Sequence, residues 1–498
     1  MAITFNNIPT TVRTPGTYTE IDNSRALQGL VANPHKALII GQKTTAGSVD
    51  CDVLMAITRD NLADGYFGTG SITARMCNIF RKNNPYTELY AMAISATAAS
   101  TQASAIISFS TAMNSANGVS GAGTYYLMIN GSKCEIAITS NMSAESIAAD
   151  LASIINSMDT LPVQAAASNG QLNISALQGG TQGNYINIRA NYYTGESDPL
   201  FFSTHPVIVS MAGGAVDPDL GDAWAVIENE QFHYIIQPWI GAANLTEIEN
   251  ELADRFLPLE NLQGHGFTAV RGPQASCTTL GNGRNSPYNT IIGMDDSPTA
   301  PEEWAAAWGA QAAWNLNIDP ARPLHTLALK GVLPPPIENR FTFTERNLLL
   351  YDGIATWYVD SGGTVRIERS ITTYQRDDLG AVDPSYLDIQ TMATLSEIRY
   401  QFNTRMTTRF LSPRYKLADD TFPVQPGSYV VTPSIIKQEI VALFMLLRDK
   451  GLIENLNEFV DNLVVERNST DVNRVDVLLP PDLVNQFRVL AGLIQFLL

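Results

Sequence analysis

The spacing of apolar and polar positions predicts that the chain begins with an extended arm. In residues 1–28, Ile3 and Phe5 alternate with polar residues. Pro9 and Pro15 exclude a regular helix through the segment, because proline lacks the backbone N–H that a helix interior needs. The segment is too short and too polar to bury a core of its own. We therefore expect an N-terminal arm that cannot fold alone.

Short buried strands alternate with helices over residues 29–94 and again over 216–333. The predicted strands are 36–41, 88–94, 232–237, 267–272 and 289–294, and the main predicted helices are 71–80, 219–229, 245–256 and 301–314. Such alternation is typical of an α/β layer with a parallel or mixed sheet. Because both segments have the same character, we expect one α/β domain whose chain is interrupted by an insert.

The insert, residues 95–215, has its own pattern. A hairpin is predicted at 125–138 around Asn130-Gly131, followed by a helix that Ser143 caps and by strands at 171–177 and 185–190. Between Ala96 and Ala215 there are 2 basic and 6 acidic residues in 120 positions, far below the roughly 25% charged residues of an average chain. A small α+β domain with a surface of neutral polar residues follows.

A C-terminal α+β core domain is predicted over 334–480. Its pattern indicates a hairpin at 356–374, a long helix at 384–411, a second helix that Ser434 caps and Gly451 terminates, and a strand at 475–480. The predicted fold class is thus α/β and α+β multidomain. It combines an α/β core, an inserted small α+β domain, a C-terminal α+β core domain, and extended N- and C-terminal strand arms.

Residues 481–498 form the second arm, and they end in the uncharged sequence VLAGLIQFLL (489–498). Such a run aggregates if it is left exposed. It could be a last strand buried in the protein's own sheet, or a strand donated to a neighbouring molecule. The N-terminal arm favours donation, since two arms that cannot bury themselves are typical of a polymerising subunit. The candidate interface residues are Ile3, Phe5, Val12, Tyr18, Val489, Leu490, Leu493, Ile494, Phe496 and Leu498.

The amino-acid composition excludes some classes of protein and disfavours others. Of the 498 residues, 45% are hydrophobic and 16% are charged, and 31 basic against 49 acidic residues give a net charge of −18. The apolar content excludes intrinsic disorder, and the negative charge disfavours nucleic acid as a partner. The four cysteines form no CxxC pair, and neither a signal peptide nor an apolar run of bilayer length is visible. We therefore expect a protein made in a cytoplasm, without direct membrane insertion.

No motif in the sequence identifies an active site. The loop after strand 36–41, GQKTT, lacks the upstream glycine of a phosphate-binding loop, and GNGRNSP (281–287) opens no evident helix. The five histidines lack zinc spacing, and we interpret His265 as a polar loop residue. The Asp pairs at 295–296, 377–378 and 419–420 fit backbone caps better than acid–base pairs. We predict no enzyme and no cofactor or metal; an α/β enzyme without a recognised motif is the alternative.

One basic stretch interrupts the acidity. Arg399, Arg405, Arg409, Arg414 and Lys416 accompany only Glu397 as an acidic residue within 397–416. The stretch is either a solvated helix face or a surface that contacts an acidic neighbour in an assembly.

Several segments resemble the contractile tail sheath proteins of myoviruses, in particular the Mu-like branch. The N-terminal VRTPGTYTEIDNS (12–24) is similar to the arm motif of that family. The core segments that resemble it are RPLHTLALKGVLPPP (322–336), FTFTERNLLLYDGIATWY (341–358), GGTVRIERSITTY (362–374) and NEFVDNLVVERNSTDVNRVDVLLPPDLVNQFRVLAGLIQF (457–496). The resemblance covers almost the whole chain and is weakest in the insert.

The resemblance implies a structural part of a virion that is assembled in the host cytoplasm. Sheath subunits form hexameric rings stacked helically around a tail tube, and their terminal arms pair with the core sheets of neighbours. Contraction drives the tube through the host envelope for genome ejection; a headless contractile injection particle is the alternative source. Tail tube, baseplate and tail terminator proteins are the implied partners. The insert would project outward, and the candidate tube or inner contacts are Arg399, Arg405, Arg409, Lys437, Arg448 and Lys450.

Overall fold

A computed structural model describes residues 11–20, 29–109, 122–139, 142–198, 208–425 and 427–497. Ile3, Phe5 and Leu498 therefore lie outside the described residues. The chain forms two compact units. The larger unit takes Pro34–Glu397 and Asn485–Leu498, and the smaller unit takes Met1–Asn33 and Ile398–Val484.

The larger unit contains the predicted α/β core and the insert. Its elements before and within the insert are β1 (Lys36–Gly41), β2 (Met55–Ala56), α1 (Leu62–Phe67), α2 (Ile72–Asn83), β3 (Glu88–Ala93), β4 (Gln102–Ser108), β5 (Gly123–Ile129), β6 (Ser132–Ile138), α3 (Ala144–Ser157), β7 (Val163–Ser168), β8 (Gln171–Gly179), β9 (Asn187–Ala190) and β10 (Ile208–Ser210). After the insert come α4 (Gly221–Ile227), β11 (Tyr234–Ile236), α5 (Ala242–Phe256), β12 (His265–Val270), α6 (Gln274–Asn282), β13 (Asn289–Gly293), α7 (Pro301–Ile318), α8 (Phe343–Tyr351), β14 (Ile354–Val359), β15 (Val365–Arg369) and α9 (Ile389–Met406).

Eight strands form the main sheet in the order β15-β14-β13-β12-β11-β1-β3-β2. The six inner strands run parallel, and β2 and β15 are antiparallel to their neighbours. The inner strands β1, β11, β12 and β13 are buried almost throughout, which explains why they read as continuous apolar runs. The prediction of an α/β core with a mixed sheet is confirmed.

The insert folds around its own core. Strands β10-β9-β5-β6 form one sheet and β4-β8-β7 another, with α3 packed against them. Ser143 caps α3 as predicted, and Asn130 and Gly131 both have positive φ in the hairpin turn. Polar contacts hold the insert on the α/β core: Asn130 Nδ2 donates to Glu303 Oε1 at 2.8 Å, and Arg189 pairs with Asp296 at 2.8 Å.

The smaller unit is built on two helices. It takes the C-terminal part of α9, which continues into a π-helical turn (Thr407–Leu411), and the elements β16 (Lys416–Leu417), β17 (Val430–Val431), α10 (Pro433–Asp449), β18 (Ile453–Glu454), α11 (Leu456–Asn462), β19 (Val464–Arg467), β20 (Val475–Leu478) and β21 (Asp482–Leu483). The buried face of α10 includes Ile440 and Phe444, and the Phe444 ring stacks on Phe459 at 3.9 Å between centroids.

Three details differ from the sequence prediction. The hairpin of β14 and β15 was placed in a domain that begins at 334, whereas β14 pairs with β13 and extends the main sheet. The cap of α10 is Thr432 rather than Ser434, because Pro433 takes the first helical position, where its missing N–H costs nothing. The sequence also missed α6, whose Gly281 fits a helix that approaches the Asp352 carbonyl so closely that a Cβ would lie 2.0 Å from its oxygen.

Candidate assembly surfaces

The C-terminal arm ends in an exposed apolar segment, residues 489–497. It starts beside an ion-pair cluster in the larger unit: Arg488 Nη1 lies 2.6 Å from Asp388 Oδ1, and Arg369 contacts the same carboxylate at 3.2 Å. Beyond Arg488 the described residues form no strand. Ile494 is 90% exposed. The alternative of a last strand buried in the protein's own sheet is therefore wrong.

Exposure of the apolar side chains of the C-terminal arm to water is thermodynamically unfavourable. The predicted interface residues Val489, Leu490, Leu493, Ile494 and Phe496 are all at least 77% exposed. Burying one such side chain contributes about 2 kcal/mol, so covering the arm would release a large share of the free energy that a stable contact requires. An apolar surface of this kind marks an interaction site rather than a solvated tail.

The N-terminal arm is described only over residues 11–20. These residues contain neither a helix nor a strand, and Pro15 is incompatible with a helix interior. The predicted interface residues Val12 and Tyr18 are 42% and 49% exposed, and the Tyr18 hydroxyl donates to the Thr14 carbonyl at 3.2 Å. Both side chains are therefore accessible to a partner.

Strands β19 and β20 form a two-stranded antiparallel sheet in the smaller unit. Asn468 closes its turn by accepting from the backbone N–H groups of Thr470 and Asp471 at 2.8 Å. Hydrogen bonds from Asn468 and Arg474 hold the pKa of Asp476 below its usual value. Within the described residues each strand has a partner on one side only. Both outer edges thus offer unpaired backbone groups to an added strand.

An apolar groove of about 410 Å³ lies beside this sheet in the smaller unit. Val475 and Val477 of β20 line one side, and Phe402, Met406 and Phe410 line the other. The π-helical turn after α9 places Phe410 in the groove. The groove supplies side-chain pockets next to the open strand edge, which is the arrangement that strand addition uses.

Most of the predicted basic contacts already have partners within the smaller unit. Arg405 and Arg409 both contact Glu439 Oε1, at 2.5 and 3.1 Å, and Lys437 donates to the Leu463 carbonyl at 2.8 Å. Arg448 pairs with its neighbour Asp449 at 2.6 Å. Arg399 is half-buried, and Lys450 is exposed. The sequence could not show that Glu439, one helix away, lowers the charge of this surface.

The residues considered for chemistry serve the fold. Lys43 donates to the carbonyls of Gly47 and Val49 within its own loop. His265 is not a loop residue but the buried first residue of β12, with Nε2 2.8 Å from the Thr290 hydroxyl. Asp377 accepts from the N–H groups of Leu379 and Ala381, as a cap does.

In the described part of the chain, no three or more His, Cys, Asp or Glu residues cluster in a way that could hold a metal ion. None of the described helices combines the length and the hydropathy that a bilayer span requires.

Comparison with known proteins gives matches along most of the sequence. Residues 213–373 match the phage tail sheath protein central domain, and residues 381–497 match the phage tail sheath C-terminal domain. The chain is 36% identical over 498 residues, 100% of both chains, to the Mu-like prophage FluMu tail sheath protein of Haemophilus influenzae. Among solved structures, it is similar to a sheath tail protein of Desulfitobacterium hafniense (14% identity, TM-score 0.49, 95% of this chain and 97% of that chain). A sheath tail protein of Listeria innocua is also similar (12%, TM-score 0.47, 92% and 94%).

Proposed function

The chain belongs to the phage tail sheath protein family, and from this premise we propose that it polymerises around a tail tube by donating its terminal arms to neighbouring copies. Its relatives are structural tail sheath proteins, so it is a component of a Mu-like virion and not an enzyme. The observation that carries the proposal is the C-terminal arm, whose apolar side chains nothing within the described chain covers.

The acceptor for a donated arm is the sheet of β19 and β20. Its open edges provide main-chain hydrogen bonds, and the apolar groove beside β20 provides pockets for alternate side chains. Since successive side chains of a strand point to opposite faces, one set of arm side chains would enter the groove and the other would face solvent or a further arm. Each copy would thus carry both a donor and an acceptor, so copies can be linked head to tail, and an open helical polymer forms where the rotation between copies does not close.

The same pairing of arms with the sheets of neighbouring copies would also allow the sheath to contract. The arms act as hinges whose paired strands stay intact while the subunit bodies rotate and move outward. The bodies then exchange one set of side-chain contacts for a larger one, and no nucleotide is consumed. Hexameric rings stacked into a helical tube, assembled in the host cytoplasm, would contract to drive the tube through the host envelope for genome ejection.

The remaining partners lie along the tail. The smaller unit, with α10 and the C-terminal part of α9, is the proposed side that faces the tail tube, and the exposed Lys450 is a candidate contact. The insert is the proposed outward projection. Baseplate and tail terminator proteins would bound the polymer at its two ends.

Truncation of the arm tests the proposal. Removing residues 489–498 should leave a folded subunit, because the side chains removed contribute little to its core, while abolishing polymerisation. Negative-stain electron microscopy of purified protein would show long tubes for the full chain and single particles for the truncated chain, and circular dichroism would confirm an unchanged fold. Tubes formed by the truncated chain would contradict arm donation, and discrete rings formed by the full chain would contradict an open helical polymer.

A further inference from the structure

A second candidate surface lies between α4 and α5 in the larger unit, where carboxylates lack cationic partners in the described part of the chain. It is a groove of about 610 Å³, and its α5 side carries Glu247, Glu251 and Asp254. These residues are four and three positions apart, so they share one face of the helix. Only Glu251 has a cationic partner among the described residues, at 2.8 Å from Arg255 Nε. The groove therefore carries a net negative charge.

The carboxylates in and beside the groove repel one another. Glu247 lies next to Asp219, and burial together with this neighbour raises the pKa of Glu247 to about 7. Gly221 permits the approach, since a Cβ there would lie 3.2 Å from a Glu247 oxygen and 3.3 Å from an Asp219 oxygen. Two carboxylates held this close share a proton, and a cation beside them would favour their ionised forms.

Trp224 of α4 also lines the groove and is only 9% exposed. Its Nε1 is buried and has no hydrogen-bond partner among the described residues. The charged groups of the groove are therefore its carboxylates, and an occupant that suits it brings cationic side chains.

The chain itself presents such a group in its smaller unit. Arg414 and Lys416 follow the π-helical turn, both are exposed, and neither forms an ion pair within the described residues. Arg414 has a positive φ of 62°, so the backbone turns sharply there. We name residues 411–416 the basic turn. It presents two exposed cationic side chains, while its Leu411 and Tyr415 line the apolar groove beside β20.

We propose that the groove between α4 and α5 of one copy binds the basic turn of a second copy, and this inference rests on the polymer proposed above. Glu247 and Asp254 are separated by about 10 Å along α5, from the rise of 1.5 Å per residue. Arg414 and Lys416 are two positions apart in the basic turn, and their long, exposed side chains span that distance.

A complementation experiment tests the pairing. One variant carries Glu247→Lys and Asp254→Lys, and the other carries Arg414→Glu and Lys416→Glu. Alone, each variant opposes like charges, and the concentration needed for tube formation should rise by about tenfold or more. Mixed in equal amounts, the two should copolymerise near the wild-type concentration, because every groove then finds a turn of opposite charge.

The control is Glu260→Lys, a charge reversal at an exposed residue outside the groove; it should polymerise like the wild type. If a reversed variant does not fold, Glu247→Gln with Asp254→Asn replaces it, and tube formation should then depend less steeply on salt. Unchanged polymerisation of the groove variant, or variants that fold but fail to copolymerise, would overturn the pairing. A wild-type chain that forms no tubes would instead overturn the proposed function, so the two failures are distinguishable.

Discussion

Three histidines of the larger unit are removed from water to different extents: His265 is buried, and His35 and His233 are half-buried. The rings of His35 and His233 stack with centroids 4.1 Å apart, and His35 Nδ1 lies 2.8 Å from the Tyr234 hydroxyl. Burial lowers the pKa of His35 to about 4 and that of His265 to about 3, and burial also places the pKa of His233 well below its usual value. Protonating any of them would place a charge where water cannot solvate it.

These histidines predict an acid-sensitive subunit. Their folded-state pKa lies below the unfolded value of about 6.5, so their contribution is fully present above that pH and is lost as the pH falls from there toward 3. His265→Gln should reduce the stability lost between pH 7 and pH 4.5 by about 2 kcal/mol. Urea unfolding at the two pH values measures this, with the exposed His325→Gln as control. Equal pH dependence of wild type and His265→Gln would contradict it.

Among the elements, α7 shows how closely the main sheet is covered. Trp304 and Trp308 of this helix are fully buried, and their indole N–H groups donate to Ser297 and Ser370 at 2.9 and 3.0 Å. Gly309 brings the helix onto the sheet, since a Cβ there would lie 2.7 Å from Ile236 Cγ1. The helix is buried on almost every side, which is why its sequence lacks a polar stripe.

Two glycine-to-alanine substitutions distinguish the effect of helix propensity on stability from the effect of core packing. Gly309→Ala gains about 1 kcal/mol of propensity but overpacks the core at a cost of about 1–3 kcal/mol. We expect a net loss, because the side chain of Ile236 has no free space to occupy. Gly65→Ala in α1 meets no atom within 4 Å, so it should stabilise by about 0.5–1 kcal/mol. Chemical denaturation of both variants measures the contrast, and stabilisation by Gly309→Ala would contradict the packing argument.

The elements also show what the sequence can predict. The inner strands and the amphipathic helix α3 were found because burial imposes a pattern on consecutive residues. Strands β4 and β7 were missed because their exposed positions include Ile106 and Ala166, which weaken the alternation. The C-terminal arm was predicted from its own ten residues. The pairing of Glu439 with Arg405, and the position of Trp224 beside the carboxylates of α5, depend on tertiary contacts that no local pattern encodes.

At the scale of the whole molecule, folding and assembly use different residues. The larger unit buries its core in the main sheet and the insert, while the C-terminal arm stays outside every core. A net charge of −18 also opposes close approach of identical copies unless acidic surfaces meet basic ones. In the polymer proposed above, the apolar arm would supply free energy and the acidic groove would supply orientation.

This separation predicts that a single charge in the arm blocks assembly without affecting the fold. Ile494 is 90% exposed, so Ile494→Asp should change the free energy of unfolding by no more than about 0.5 kcal/mol. Leu493→Asp is made beside it, because neighbouring side chains of a paired strand point to opposite faces and one of the two enters the apolar groove. For that one the carboxylate would be buried in the polymer without a partner, which costs several kcal/mol and raises the concentration needed for tube formation by about 100-fold. Leu379→Asp is the matched control, because Leu379 is 94% exposed in a loop of the larger unit. Sedimentation of polymer across a concentration series, with thermal unfolding of the free subunit, measures both effects. If both arm variants polymerised like the Leu379→Asp chain, the arm would stay in solvent after assembly.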